Sequence, residues 1–243
     1  MRERYHLIDA IRGLAVIAMI VYHLCYDIFV VFGVDPSWVG YTGTVVFERC
    51  ICCTFILVSG ISLHFSSHPY RRGIIVGVGG LLITVATWLF MPDQMILWGV
   101  LSFIAAAMLL TSALRPLLQR VQPIVGAIGS MLLFAVTYGV PGRYVGVFSV
   151  RLLTLPDALY VTRFLAPIGL PGDGFRSADY FPLVPWVFLF LTGWLLWRVI
   201  QQRGAPHVLH RQVPVLGFIG RHSLVFYMLH QPVLYGICWL IFR

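Results

Sequence analysis

Apolar runs about as long as a bilayer requires of a helix, roughly 20 residues, recur along this chain, separated by Pro, Gly and Arg. That pattern constrains the fold class more than any single residue does. Backbone polar groups in hydrocarbon find no water, so each run must pair its own N–H and C=O groups as a helix. Charged residues make up 11% of the chain and hydrophobic residues 59%, against about one quarter charged in a soluble domain. The sequence therefore predicts an all-α integral membrane protein. It is read as a single transmembrane domain over residues 1–243, with membrane lipids around its apolar surface.

Seven spans are predicted, near residues 8–32, 43–65, 72–91, 95–114, 122–140, 180–200 and 214–242. The first is read as a retained span, because it is too long for a secretory signal, carries internal charge and lacks a small-residue cleavage site. Residues 141–179 are too polar and too broken by Pro and Gly to cross. A loop of that length commonly serves as a lid or binding surface.

Orientation follows from arginine placement. With the N-terminus inside, the short inner segments hold Arg2 and Arg4, Arg71 and Arg72, Arg115 and Arg120, and Arg198, Arg203 and Arg211. The outer loops at 33–42 and 92–94 hold none, as the positive-inside rule expects. The N-terminus is thus expected in the cytoplasm and the long loop outside. The net charge of +8 comes from Arg alone and is explained by topology and anionic headgroups. No basic soluble domain exists for nucleic acid. The cysteines of "RCICC", Cys50, Cys52 and Cys53, have no second CxxC pair and no nearby histidine to complete a tetrahedral site, so no metal is expected.

The stretch "IDAIRGLAVIAMIVYHLCYD" carries Asp9, Arg12, His23 and Asp27. His23 lies eleven residues beyond Arg12, roughly 16 Å deeper at 1.5 Å per residue, and so near the middle of the bilayer. Asp27 follows at i+4 on the same helix face and is expected to hydrogen-bond the imidazole, the support that a histidine base receives in acyl-transfer sites. The alternative is that both are interior helix contacts, since ionisable groups at depth either act or pair. Asp9 and Arg12 sit at the inner edge, where Asp9 caps the helix or pairs with Arg12.

In "GRHSLVFYMLHQPVLYG", read as one helix entering from inside, His222 lies near the interface and His230 about 12 Å deeper, a depth comparable to His23. Pro232 removes a ladder hydrogen bond there and either opens a polar site or simply kinks the helix. Ser59, Gly60 and Ser62 are small residues suited to close helix packing. Asp179 is placed to cap the sixth span, and Glu48 and Arg49 to form an interfacial pair. His64 and His68 beside Arg71 and Arg72 face the cytosol in this reading and form either a solvated loop or a contact for a nucleotide phosphate.

"RYHLIDAIRGLAVIAMIVYHLCYD", "VSGISL", "SADYFPLVPW" and "GRHSLVFYMLHQPV" together resemble the bacterial relatives of the heparan-α-glucosaminide N-acetyltransferase catalytic domain, within the wider transmembrane acyltransferase superfamily. The matches extend from Arg4 to Val233, nearly the whole chain. The spacing of Arg12 and His23 is also similar to the first-helix signature of the membrane acyltransferase-3 proteins. The resemblance implies a multi-pass protein of the bacterial inner membrane. It also implies acetyl-CoA or another acyl-CoA as cytosolic co-substrate, and a glycan or amino-sugar acceptor at the other face. Carried onto this sequence, His23 is the catalytic candidate with Arg12 implicated beside it, and the reading of the residues themselves adds Asp27 to orient it and His230 in the same chamber. Arg12, with Asp9, Ser59 and His222, is assigned to the side where the phosphates of CoA need compensating charge. No histidine stands between Phe32 and Gly43, the outer loop in which a lysosomal member of the family carries its catalytic histidine.

A second reading is a proton-coupled transporter of a small anion that uses His23 and Asp27 as its relay. No internal repeat of the kind transporters carry is visible. A scaffold role is the third reading, and the sequence is compatible with a homodimer.

Overall fold

Residues 5–147 and 150–242 are described in a computed structural model of the protein; Arg2 and Arg4 lie outside the described residues. Among the described residues, six helices are long and apolar enough to cross a membrane, and one shorter apolar helix accompanies them. They are α1 (His6–Tyr26), α2 (Thr42–Ser62), α3 (Pro69–Phe90), the short α4 (Val100–Ala113), the single turn α5 (Arg115–Leu118), α6 (Pro123–Thr137), α7 (Leu183–Gln202), α8 (Pro214–Arg221) and α9 (Ser223–Phe242). The long apolar helices are α1, α2, α3, α6, α7 and α9. The chain divides into two compact units, one of residues 5–58 and 204–242 and one of residues 59–203.

In the first unit, α1 and α8 cross with their backbones in contact. A Cβ on Gly13 would lie 2.0 Å from the carbonyl oxygen of Leu216, and one on Gly220 would lie 1.8 Å from that of Asp9. Only glycine permits this approach. Buried Val16 and Met19 of α1 then meet Ile51 of α2, with Phe55, Ile219, Phe226 and Tyr227 packed around them. The helix expected over 214–242 is two helices. α8 stops at His222, whose backbone N–H and ring Nδ1 both donate to the carbonyl of Phe218, satisfying one of the carbonyls left open at a helix end.

The predicted span at 95–114 is also shorter. α4 has 14 residues, about 21 Å against roughly 30 Å of hydrocarbon. The residues before it are drawn into loop pairing instead. Leu97 N–H donates to Ser177 Oγ, Ala178 N–H to Met95 O, and Phe181 N–H to Trp98 O. Asp179 Oδ2 accepts from Val100 N–H at 3.0 Å. Asp179 therefore caps α4, not the sixth span that its position in sequence suggested.

The second unit is built around α7, whose Phe190, Trp194 and Trp197 are buried. Gly60 lets α2 approach it, since a Cβ there would stand 2.1 Å from the carbonyl oxygen of Phe190, as the small residues of "LVSGISL" suggested. Within residues 141–179, the strands β1 (Tyr144–Val147) and β2 (Val150–Thr154) pair antiparallel. Arg143 ion-pairs with Asp157 at 2.7 Å and also with Asp173, and buried Tyr160 donates its hydroxyl proton to Val140 O. The long loop is thus a small folded element.

Between α1 and α2, Asp35 Oδ1 accepts from the Ser37 N–H and hydroxyl, and Oδ2 from the Tyr41 hydroxyl. The hydrogen bonds from Ser37, then that from Tyr41, hold its carboxyl below the ordinary carboxylate value. A depressed folded value means that this contribution is present above the unfolded pKa and is lost as pH falls through the folded one. The turn Pro36–Gly40 is expected to loosen below about pH 4, read as faster amide exchange at Ser37, an effect that Asp35→Asn removes. Gly220→Ala is expected to destabilise the protein by about 1–3 kcal/mol through overpacking. Gly236→Ala, where a Cβ meets nothing within 4 Å, should not; chemical unfolding in detergent compares the two.

Candidate functional site

Helix α1 delivers four polar groups and the first unit sorts them into two places. At its start, Arg12 is buried, and its Nη1 lies 3.4 Å from Asp9 Oδ1 and donates to Gly220 O at 3.3 Å. Gly220 is in the last turn of α8, where helix carbonyls carry partial negative charge. Asp9 belongs to the first turn of α1 and pairs with Arg12; the N-cap position is Tyr5, which makes no side-chain capping bond. His222 is exposed, with its ring turned back onto Phe218 at 4.5 Å. Ser59 lies in the second unit, half-buried on α2.

The second place lies where α1 meets α9. The His23 and His230 rings stand 4.7 Å apart, edge to face, with Tyr22 5.6 Å from His23 and Tyr227 5.5 Å from His230. His230 Nδ1 is 2.7 Å from Tyr227 O. A carbonyl only accepts, so Nδ1 carries the proton and Nε2 presents its lone pair. That Nε2 is buried with no hydrogen-bond partner among the described residues. It is placed to accept a proton.

Asp27 is wholly buried, at 0% exposure. Its Oδ1 accepts from Gln231 Nε2 at 2.7 Å. The expected His23–Asp27 hydrogen bond is thereby replaced, because α9 supplies a better-placed donor and α1 widens into a π-helical turn over Asp27–Val31. Such widening recurs at functional sites. It occurs on α1, while α9 continues as helix through Pro232. Asp27 Oδ2 and Gln231 Oε1 have no partner among the described residues. Asp27 therefore holds Gln231, and through it the adjacent His230, rather than orienting His23 directly.

Gln231 is the residue that sequence reasoning missed. A glutamine in an apolar helix next to a histidine was the available signal, but nothing in one strand of sequence pairs position 231 with position 27. His23, Asp27 and His230 are brought together as expected. Asp9, Arg12 and the α8 terminus before His222 form a separate group.

A comparison with protein families matches residues 4–232 to the family described as "Heparan-alpha-glucosaminide N-acetyltransferase, catalytic". Comparisons with curated proteins and with solved structures find no match.

Removing the only described donor to Asp27 Oδ1 leaves a buried carboxyl without compensation. Gln231→Leu is expected to cost about 1–3 kcal/mol of stability, measured by chemical unfolding in detergent. Asp27→Asn in that background should recover part of it by removing the charge.

Proposed function

We propose, from the fact that this chain belongs to the heparan-α-glucosaminide N-acetyltransferase catalytic family, that it moves an acetyl group from cytosolic acetyl-CoA to an extracytoplasmic sugar or amino sugar. The family and the six long apolar helices make it an integral membrane protein with an acetyltransferase-like function. The donor, the acceptor and the placement in a bacterial inner membrane, N-terminus inside, belong to the proposal. The observation that carries it is the pair of half-buried and buried imidazoles, His23 and His230, 4.7 Å apart at depth in an apolar helix pair.

In this reading the acceptor's hydroxyl or amine attacks the thioester carbonyl, and His23 takes the proton it gives up. The C–S bond breaks, and the departing thiolate takes that proton back from the imidazolium, so the enzyme returns neutral. His230, with Nδ1–H committed to Tyr227 O, keeps Nε2 as a second acceptor beside the reacting proton. Asp27 and Gln231 hold the helix that carries it. Arg12, secured by Asp9 and the Gly220 carbonyl, supplies positive charge on the side where the donor's phosphates enter.

Purified protein in nanodiscs, given acetyl-CoA and an amino sugar, is expected to release free CoA. His23→Ala should lower turnover by about 10²–10⁴-fold while acetyl-CoA still binds. Unchanged turnover in that variant would remove His23 from the mechanism. Proteoliposomes that move a small anion without consuming acetyl-CoA would favour the proton-coupled carrier.

A further inference from the structure

The second unit contains a pocket with no part in the acyl-transfer reading. It measures about 90 Å³, and His64, Tyr70, Thr111, Ser112, Arg115 and Trp194 line it. These come from the turn after α2, the start of α3, the end of α4, the start of α5 and the middle of α7.

Thr111 is the discriminating residue. Six helical hydroxyls in this chain turn back to the carbonyl four residues earlier: Thr54 to Cys50, Thr84 to Gly80, Thr87 to Ile83, Thr137 to Leu133, Thr192 to Phe188 and Ser112 to Met108. This is the ordinary resting place for a helical Ser or Thr. Thr111 is 1% exposed, and its hydroxyl has no partner among the described residues. A buried hydroxyl left unpaired is destabilising, and this one lines a cavity.

The other polar groups give the cavity a sign. His64 Nε2 lies 2.9 Å from Trp194 O and its ring stacks on Trp194 at 4.8 Å. The carbonyl accepts, so in the neutral ring Nε2 donates and Nδ1 is an acceptor. Arg198 lies over Trp194 and donates to the carbonyls of Leu118, Gln119 and Val121. Arg115 is exposed, and no hydrogen bond or ion pair holds its guanidinium among the described residues. No carboxylate lines the pocket, and the first turn of the 22-residue α3 adds the positive end of a helix dipole.

The hydroxyls of Thr111 and Tyr70, a planar guanidinium fork and one imidazole acceptor together match a partly protonated tetrahedral oxyanion. We propose that this pocket binds one phosphate group, either free or carried by a membrane lipid. Apolar surface continues from its rim: Ile74 lies one turn along α3 from Tyr70, and Leu114 and Leu117 flank Arg115, all three exposed. That surface suits an acyl chain attached to the phosphate.

The test uses the full chain in detergent with inorganic phosphate, followed by calorimetry, and in nanodiscs with phosphatidic acid against phosphatidylcholine, followed by native mass spectrometry. Saturable binding of either phosphate probe is expected, weakened at least about tenfold by Thr111→Val and by Arg115→Gln. Binding of inorganic phosphate alone assigns a soluble source, and selective retention of phosphatidic acid assigns a lipid. Arg115 is exposed, so its variant decides the matter even where Thr111→Val alters folding. Failure of both probes to bind the wild type would overturn the proposal, as would binding that survives Arg115→Gln unchanged.

Discussion

A carboxyl that solvent does not reach needs a donor, and for Asp27 that donor is Gln231. The contact sets the rotation of α9 against α1. Adjacent helical residues point about 100° apart, so fixing Gln231 on Asp27 also fixes where His230 points. His23 lies one turn before Asp27 on the same face of α1, and the two imidazoles meet there at 4.7 Å. One hydrogen bond between helices thereby organises the polar centre of the first unit.

The other end of α1 is held by different means. Gly13 and Gly220 allow backbone contact with α8, and the Arg12 guanidinium reaches a carbonyl of α8 across it. Without hydrophobic driving force inside a bilayer, close packing and interhelical hydrogen bonds are what hold helices together. Arg12 contributes to both packing and charge, which is why a residue explained cheaply by topology is buried in the fold.

Much of the architecture was legible from hydropathy alone. The long apolar helices lie where their runs of sequence lie, and Asp9 pairs with Arg12 as their spacing of three allows. Glu48 and Arg49 form the expected pair at 3.4 Å. The departures share one cause, which is partners distant in sequence. The span expected over 95–114 loses its first turn to pairing with residues 177–181. The helix expected over 214–242 breaks where α8 lies against α1. Asp179 caps a helix 79 residues away in preference to the one that follows it.

What the sequence by itself determined was the class of structure and the presence of His23, Asp27 and His230 in helices that lipid surrounds. Local hydropathy and the need to pair every backbone group in hydrocarbon suffice for that. Which residue holds Asp27 and where α1 widens were decided only by the tertiary structure. Hydrogen-bond geometry at depth is chosen by the nearest competing donor, and that donor, Gln231, is 204 residues away along the chain.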